Sequence, residues 1–247
     1  MINHEHKIIY IHISKCAGTS VENAFGLLNQ RVNVADYEHL YGWSDKDKLF
    51  LQHATPQQLF DLGYLNDEIW NSYYKFIIIR NPWDRLYSDY LWMLKQIKGY
   101  GSFFQFIKRE GGFKKRLTLK DRYYRGDHLN SQTDYLKLNG KLIEYDKILH
   151  FENLLFEFKE LERDLNLEDG FFEAKKKVAK KKFKHYSLFY NRRRLQLIEK
   201  YFKEDITNLS YKYKQKYRYS YRKNMLFLFY HFPLKTALKK IKLKFIK

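Results

Sequence analysis

The chain has a single cysteine, Cys16, which excludes an internal disulfide framework and says little about redox compartment. It has no apolar run of the roughly 18 residues a membrane-spanning helix needs. A secretory leader is not expected, because the apolar stretch "KIIYIHI" (7–13) is too short and Ser14 and Lys15 follow at once. No internal repeat is visible. Apolar residues are not what is missing: 45% of the 247 residues are hydrophobic and 19% aromatic. That supply excludes disorder for most of the chain and suits one large domain or two small ones.

Acidic residues are missing from particular places. Residues 174–184 hold seven lysines and no acid, and residues 222–247 hold eight basic residues and no acid. With Arg192, Arg193 and Arg194, these segments carry nearly all of the net charge of +19. Charge this local argues against a uniformly basic nucleic-acid binder. A patch of this kind attracts phosphates, anionic lipid or an acidic substrate. The plain alternative for 174–184 is a solvated helix face.

Two strand–loop–helix units stand out. "KIIYIHI" (7–13) reads as a buried strand, and "GTSVENAFGLL" (18–28) as a helix capped by Thr19 or Ser20, with Val21, Phe25 and Leu28 on one face. "KFIIIR" (75–80) reads as a second strand. "NPWDRLYSDYLWML" (81–94) then reads as an amphipathic helix, with Trp83, Leu86, Tyr87, Tyr90, Leu91 and Leu94 on its buried face. "KILHF" (147–151) is a third strand. Helices are expected over 152–165 and 193–209, a turn over 53–59, and a loop insertion over 99–130. Alternation of this kind implies an α/β fold with a central parallel sheet flanked by helices, like that of P-loop NTPases. The expected division is a catalytic domain over 1–215 and a basic, aromatic tail over 216–247.

Both loops present cations. A Walker-type phosphate loop carries its lysine after the second glycine. In "IHISKCAGTS" (11–20), Lys15 comes three residues before the only glycine, Gly18. A helix N-terminus there offers unpaired N–H groups to an anion. In an open parallel sheet, ligands bind beyond the carboxyl ends of the strands. Lys15 lies past the first strand and Arg80 ends the second, so both point to one crevice. Ser88, in the second turn of the next helix, adds a hydroxyl.

At these residues the chain resembles sulfotransferases that use 3′-phosphoadenosine 5′-phosphosulfate (PAPS). "HISKCAGTSVE" is similar to that family's 5′-phosphosulfate loop, with Cys16 where threonine is usual. "RNPWDRLYSDY" is similar to its 3′-phosphate segment. "SQTDYL" (131–136), "FENL" (151–154) and "HYSLFY" (185–190) resemble stretches of the membrane-type, carbohydrate-directed branch. The resemblance implies in-line transfer of a sulfo group from PAPS to a hydroxyl of a carbohydrate or glycolipid. It gives Lys15 the bridging oxygen of the donor. It gives the loop from Cys16 and Ala17 through Gly18, Thr19 and Ser20 the 5′-phosphate, and Arg80 and Ser88 the 3′-phosphate. It requires no metal, and the sequence shows no strong metal-ligand spacing.

The acceptor needs a base. The resemblance points to His53 in "QHATPQQL", and an imidazole titrates near the working pH. Its plain alternative is a loop or capping residue, and Glu22 and His185 are the fallback bases. Glu22 otherwise complements the helix dipole. Cys16 is either a thiol activated beside Lys15 or a small stand-in for threonine. Tyr87, Tyr90 and Trp92 are open to adenine stacking, though spacing puts the first two in the core. Arg85 is expected to pair with Asp84 or Asp89. Arg192 to Arg194 either bind an anion or decorate a helix start.

Two other classes compete: a P-loop kinase or NTPase, and a basic nucleic-acid-binding module. The kinase reading lacks the lysine after the glycine and a clear magnesium-binding aspartate. The nucleic-acid reading leaves two anion loops unexplained, so nucleic acid is not an expected partner. In the tail, "MLFLFYHF" (225–232) is too short to span a bilayer. "PLKTALKKIKLKFIK" (233–247) segregates apolar residues from lysines at helical spacing, the pattern of a helix lying on an anionic membrane surface. Packing of this tail on the domain is the alternative. The chain is accordingly expected in the cytoplasm, peripheral to the inner face of the membrane.

Overall fold

The computed structural model describes residues 1–27, 33–173 and 185–216. The lysine run 174–184, Leu28 of the first helical pattern and the tail from 217 onward lie outside the described residues. In chain order the elements are β1 (Ile2–Asn3), β2 (Ile8–Ile11), α1 (Gly18–Ala24), β3 (Trp43–Ser44), β4 (Leu49–Phe50), α2 (Pro56–Asp61), α3 (Asp67–Ser72) and β5 (Tyr74–Ile79). Then come α4 (Pro82–Gln96), α5 (Phe103–Ile107), α6 (Lys114–Thr118), β6 (Lys137–Leu138), β7 (Lys141–Leu142), β8 (Lys147–His150), α7 (Leu154–Asp164), α8 (Arg192–Tyr201) and α9 (Lys203–Asn208).

The three apolar runs form the central sheet, in the order β1-β2-β5-β8. β2 and β5 pair in parallel from Ile8–Tyr74 to Ile11–Ile77, and β5 and β8 in parallel from Phe76–Lys147 to Ile79–His150. β1, which the sequence reading missed, adds an antiparallel edge. All of β2 and the last four residues of β5 are buried. Continuous burial belongs to strands covered on both faces, and helices supply the cover. Two-residue strands make separate small hairpins, β3–β4 and β6–β7.

α4 shows why the second loop is held firmly. Asn81 caps it by accepting from the Asp84 N–H, and Pro82 occupies the first turn, where no N–H is needed. Trp83, Leu86, Tyr87, Tyr90 and Leu94 are buried as the spacing predicts, together with Met93. Leu91 is only half-buried. Asp84, Ser88 and Trp92, four residues apart, are also less buried and form one stripe along the helix.

Four expectations change. α1 stops at Ala24, and Gly26 follows at a φ of 76°. The turn expected over 53–59 becomes α2, started by a reciprocal Thr55–Gln58 capping box. The loop expected over 99–130 contains α5 and α6, whose Phe103, Phe106 and Leu117 are buried in the same cluster as Tyr90. The helix expected over 193–209 is two helices, broken at Phe202, whose backbone leaves the helical region while its ring is buried.

Candidate functional site

The two loops meet where β2 and β5 end. Arg80 Nη1 donates to the Lys15 carbonyl at 2.6 Å. Gln132, fully buried, binds both the N–H and the carbonyl of Arg80, at 2.9 and 2.8 Å. The Arg80 guanidinium stacks 3.8 Å from the centre of the Phe151 ring, and its Nε and Nη2 hold Asp84 at 3.1 and 2.7 Å. Lys15 and Ala17 both sit in the left-handed region, at φ 65° and 67°. Such a conformation costs a residue with a side chain about 1–2 kcal/mol, so the loop is held by its surroundings.

Arg85 supplies much of that hold, and it corrects an expectation. It pairs with neither Asp84 nor Asp89. Fully buried, it donates to the carbonyls of Ser14, His128 and Asn130 and lies 3.8 Å from Asp205 of α9. Asp205 also accepts from the Thr133 N–H and the Ser131 and Thr133 hydroxyls. The first loop, the 128–133 segment and α9 are thereby tied through one guanidinium.

Gly18 is required by space. A Cβ there would fall 1.8 Å from Nε2 of His12, whose ring lies across the loop. His12 Nδ1 in turn shares a 2.7 Å hydrogen bond with Glu22. Glu22 is thus a buried partner of His12, and the first turn of α1 carries no acid for the dipole. Ala17 gives α1 no side-chain cap. Among the described residues the hydroxyls of Thr19, Ser20 and Ser88 make no hydrogen bond. Cys16 is fully buried with Sγ 3.8 Å from Gln132 Oε1, and burial pushes its thiol up to about 12. That thiol is not activated, and the residue fills a small buried space.

Lys15 leads into a pocket of histidines. Its Nζ lies 5.4 Å from the centre of the Trp92 ring, and Trp92 stacks flat on His128 at 4.6 Å. His128 Nδ1 is 2.7 Å from Asp89 Oδ1. His53 ends the 3₁₀ turn Leu51–His53, with its ring 5.4 Å from that of His128 and 4.4 Å from that of His12. Its Nδ1 faces the His12 carbonyl at 3.3 Å. A carbonyl only accepts, so Nδ1 carries the proton and Nε2 keeps its lone pair. Burial drives the His53 pKa well below the ordinary histidine value, with His12 and His128 adding to the effect. Burial also lowers the Lys15 pKa, and Asp89 partly offsets it. Asp127 is buried and its pKa is raised by burial.

The structure therefore brings Lys15, Arg80 and His53 to one end of the sheet. Asp84 and Trp92, the flanks of the α4 stripe, touch Arg80 and His128, so Ser88 between them faces the same end. A cleft of about 450 Å³, lined by Asn81, Asp84, Glu152, His185 and Tyr186, opens beside the Arg80–Asp84 pair. His185 sits there, bonded to Ser187, and not with His53. Tyr87 and Tyr90 are core residues. Arg192 and Arg193 are exposed at the start of α8, and Arg194 lies over Phe189. Sequence reasoning missed His12, Asp89, Asp127, His128 and Gln132. Their neighbours in "SQTDYL" were the available signal, since Gln132 belongs to that segment.

The sulfotransferase family model matches residues 1–230. No curated protein and no solved structure matches the chain. The family match runs through both cationic loops and the 128–136 segment that joins them. On that ground the chain belongs to the sulfotransferase family, and its chemistry is the transfer of a sulfo group.

Proposed function

We propose that the chain transfers the sulfo group of PAPS to a hydroxyl of a carbohydrate or glycolipid by in-line displacement. The observation that supports this best is the 2.6 Å contact joining Arg80 to the Lys15 carbonyl, which sets two cationic loops side by side at adjacent strand ends. A donor with a phosphate at each end of its ribose needs two such loops.

In this reading, the N–H groups of Ala17, Gly18 and Thr19 and the hydroxyls of Thr19 and Ser20 hold the 5′-phosphate, while the Cys16 and Ser20 N–H groups stay on the Ile13 and Ala17 carbonyls. Lys15, on a fixed and strained backbone, neutralises charge growing on the bridging oxygen as the sulfur–oxygen bond breaks. Arg80 and Ser88 hold the 3′-phosphate. His53 accepts the acceptor's proton at Nε2 while Nδ1 stays on the His12 carbonyl. Glu22 is spent on His12, and His185 stands apart, so both are weaker candidates. Catalysis is then mostly placement and charge stabilisation, as in phosphoryl transfer. The carbohydrate class rests on the resemblance of "SQTDYL", "FENL" and "HYSLFY". A cytoplasmic location, with 225–247 on anionic lipid, is part of the proposal.

The test is thermal unfolding with 3′-phosphoadenosine 5′-phosphate against ADP. At one hundred times its dissociation constant the former stabilises by about 2.7 kcal/mol. Equal stabilisation by ADP removes the 3′-phosphate from the reading.

A further inference from the structure

One ring nitrogen each of His53 and His128 and one carboxylate oxygen of Asp127 lie within 4.8 Å of one another. Three features mark this as more than chance proximity. Neither oxygen of Asp127 accepts a hydrogen bond among the described residues, although the residue is over nine-tenths buried. A buried carboxylate without a partner is costly. Both histidines have Nδ1 committed to an acceptor, the His12 carbonyl for His53 and Asp89 for His128. That arrangement fixes the tautomer that leaves Nε2 as a ligand, and a carboxylate behind a histidine is the usual outer support of a metal-bound imidazole.

We propose that His53, Asp127 and His128 form a binding site for a divalent first-row transition cation of the zinc class. Two imidazoles and one carboxylate are a donor set suited to zinc, with a fourth position left for water or an oxygen ligand. Ligands about 2.0–2.1 Å from zinc stand about 3.3 Å apart in a tetrahedron, so three donor groups within 4.8 Å of one another would draw together on binding. The acids of the pocket are Asp127 and Asp89, and its nearby cations are Arg125 and Lys15. The consequence rests on the reading of His53 as base. A cation on Nε2 takes the lone pair that would receive the proton, so zinc inhibits sulfo transfer.

The experiment uses the full chain, freed of metal with a chelator and titrated with zinc chloride in a calorimeter. Cobalt chloride serves as a spectroscopic probe. The expected result is one tight equivalent of zinc and an intense visible cobalt band of four-coordinate geometry. Asp127→Asn, conservative in shape, weakens zinc binding at least tenfold. Asp89→Asn, one bond further out, weakens it about 10–100-fold. Melting without metal reports whether each variant folds, and the cobalt spectrum of the unmutated chain needs no variant. Weak zinc binding unchanged in Asp127→Asn, or a pale six-coordinate cobalt spectrum, overturns the site. Inhibition separates the two ideas. Zinc bound here with transfer unaffected leaves the metal site standing and removes His53 as base. Absence of zinc binding removes the site, and the base is then judged from His53→Ala alone.

Discussion

Lys15 and Arg80 are joined by a hydrogen bond but are given different work, and substitution distinguishes them. Lys15→Ala is expected to lower turnover on the order of 10²–10³ with a smaller loss of 3′-phosphoadenosine 5′-phosphate affinity, because its charge matters most as the leaving oxygen develops. Arg80→Ala is expected to weaken nucleotide binding first. Single-turnover rates and calorimetric affinities for both variants check this, and like behaviour in both assays rejects the division. Arg80 also holds the Lys15 carbonyl, so its loss disturbs the loop as well. For His53, substitution by alanine is expected to lower turnover about 10²–10⁴ and spare nucleotide affinity. Its pH signature has a definite sign. The folded pKa lies well below 6.5, so the imidazole stays neutral and able to accept a proton through pH 6.5. The acid limb of kcat/KM therefore falls below 6.5, and a limb above it contradicts the assignment. By the same linkage, His53 destabilises the fold as pH drops below the unfolded value, and that penalty is absent above it.

At the scale of elements, the loop before α1 works because of what lies across it. Gly18→Ala places a methyl group on the His12 ring. The expected result is a loss of about 1–3 kcal/mol, as for other overpacked cores, together with impaired nucleotide binding. Chemical denaturation and the nucleotide titration measure both, and an unchanged midpoint means the ring moves freely. The sequence showed that a glycine stands here but not the reason, since His12 and Gly18 are related only through the fold. β2, β5 and α4 were legible because burial on both faces or along one stripe leaves a periodic trace. β1 and the two small hairpins were not, because two residues carry no period. α5 and α6 were hidden by charge and glycine around short apolar cores. The break at Phe202 was hidden because the apolar spacing continues across it. The lysine and arginine of the site were readable as cations after strands. Asp127 and His128 were not, since a site assembled from 53, 127 and 128 leaves no spacing to find.

At the scale of the whole molecule, the charge outside the catalytic region makes its own prediction. The full chain is expected to co-sediment with anionic vesicles more than with neutral ones at low salt. A chain ending at Arg222 is expected to lose that advantage, since each surface lysine contributes roughly 1 kcal/mol on anionic lipid. Equal sedimentation of both chains, or no preference for anionic lipid, ends the membrane proposal. Within the described residues, Arg85 has a consequence for how the enzyme is made. The loop bearing Lys15 leaves the ribosome early, but its hold on Arg85 is completed by Asp205 in α9. About 190 residues separate the two ends of that tie. At about 5–20 residues per second, the first loop waits on the order of ten to forty seconds for its last support. Until then the first loop has Arg80, Arg85 and Gln132 around it but not the α9 carboxylate behind Arg85, and a nascent chain stalled before α9 carries the loop with that support missing.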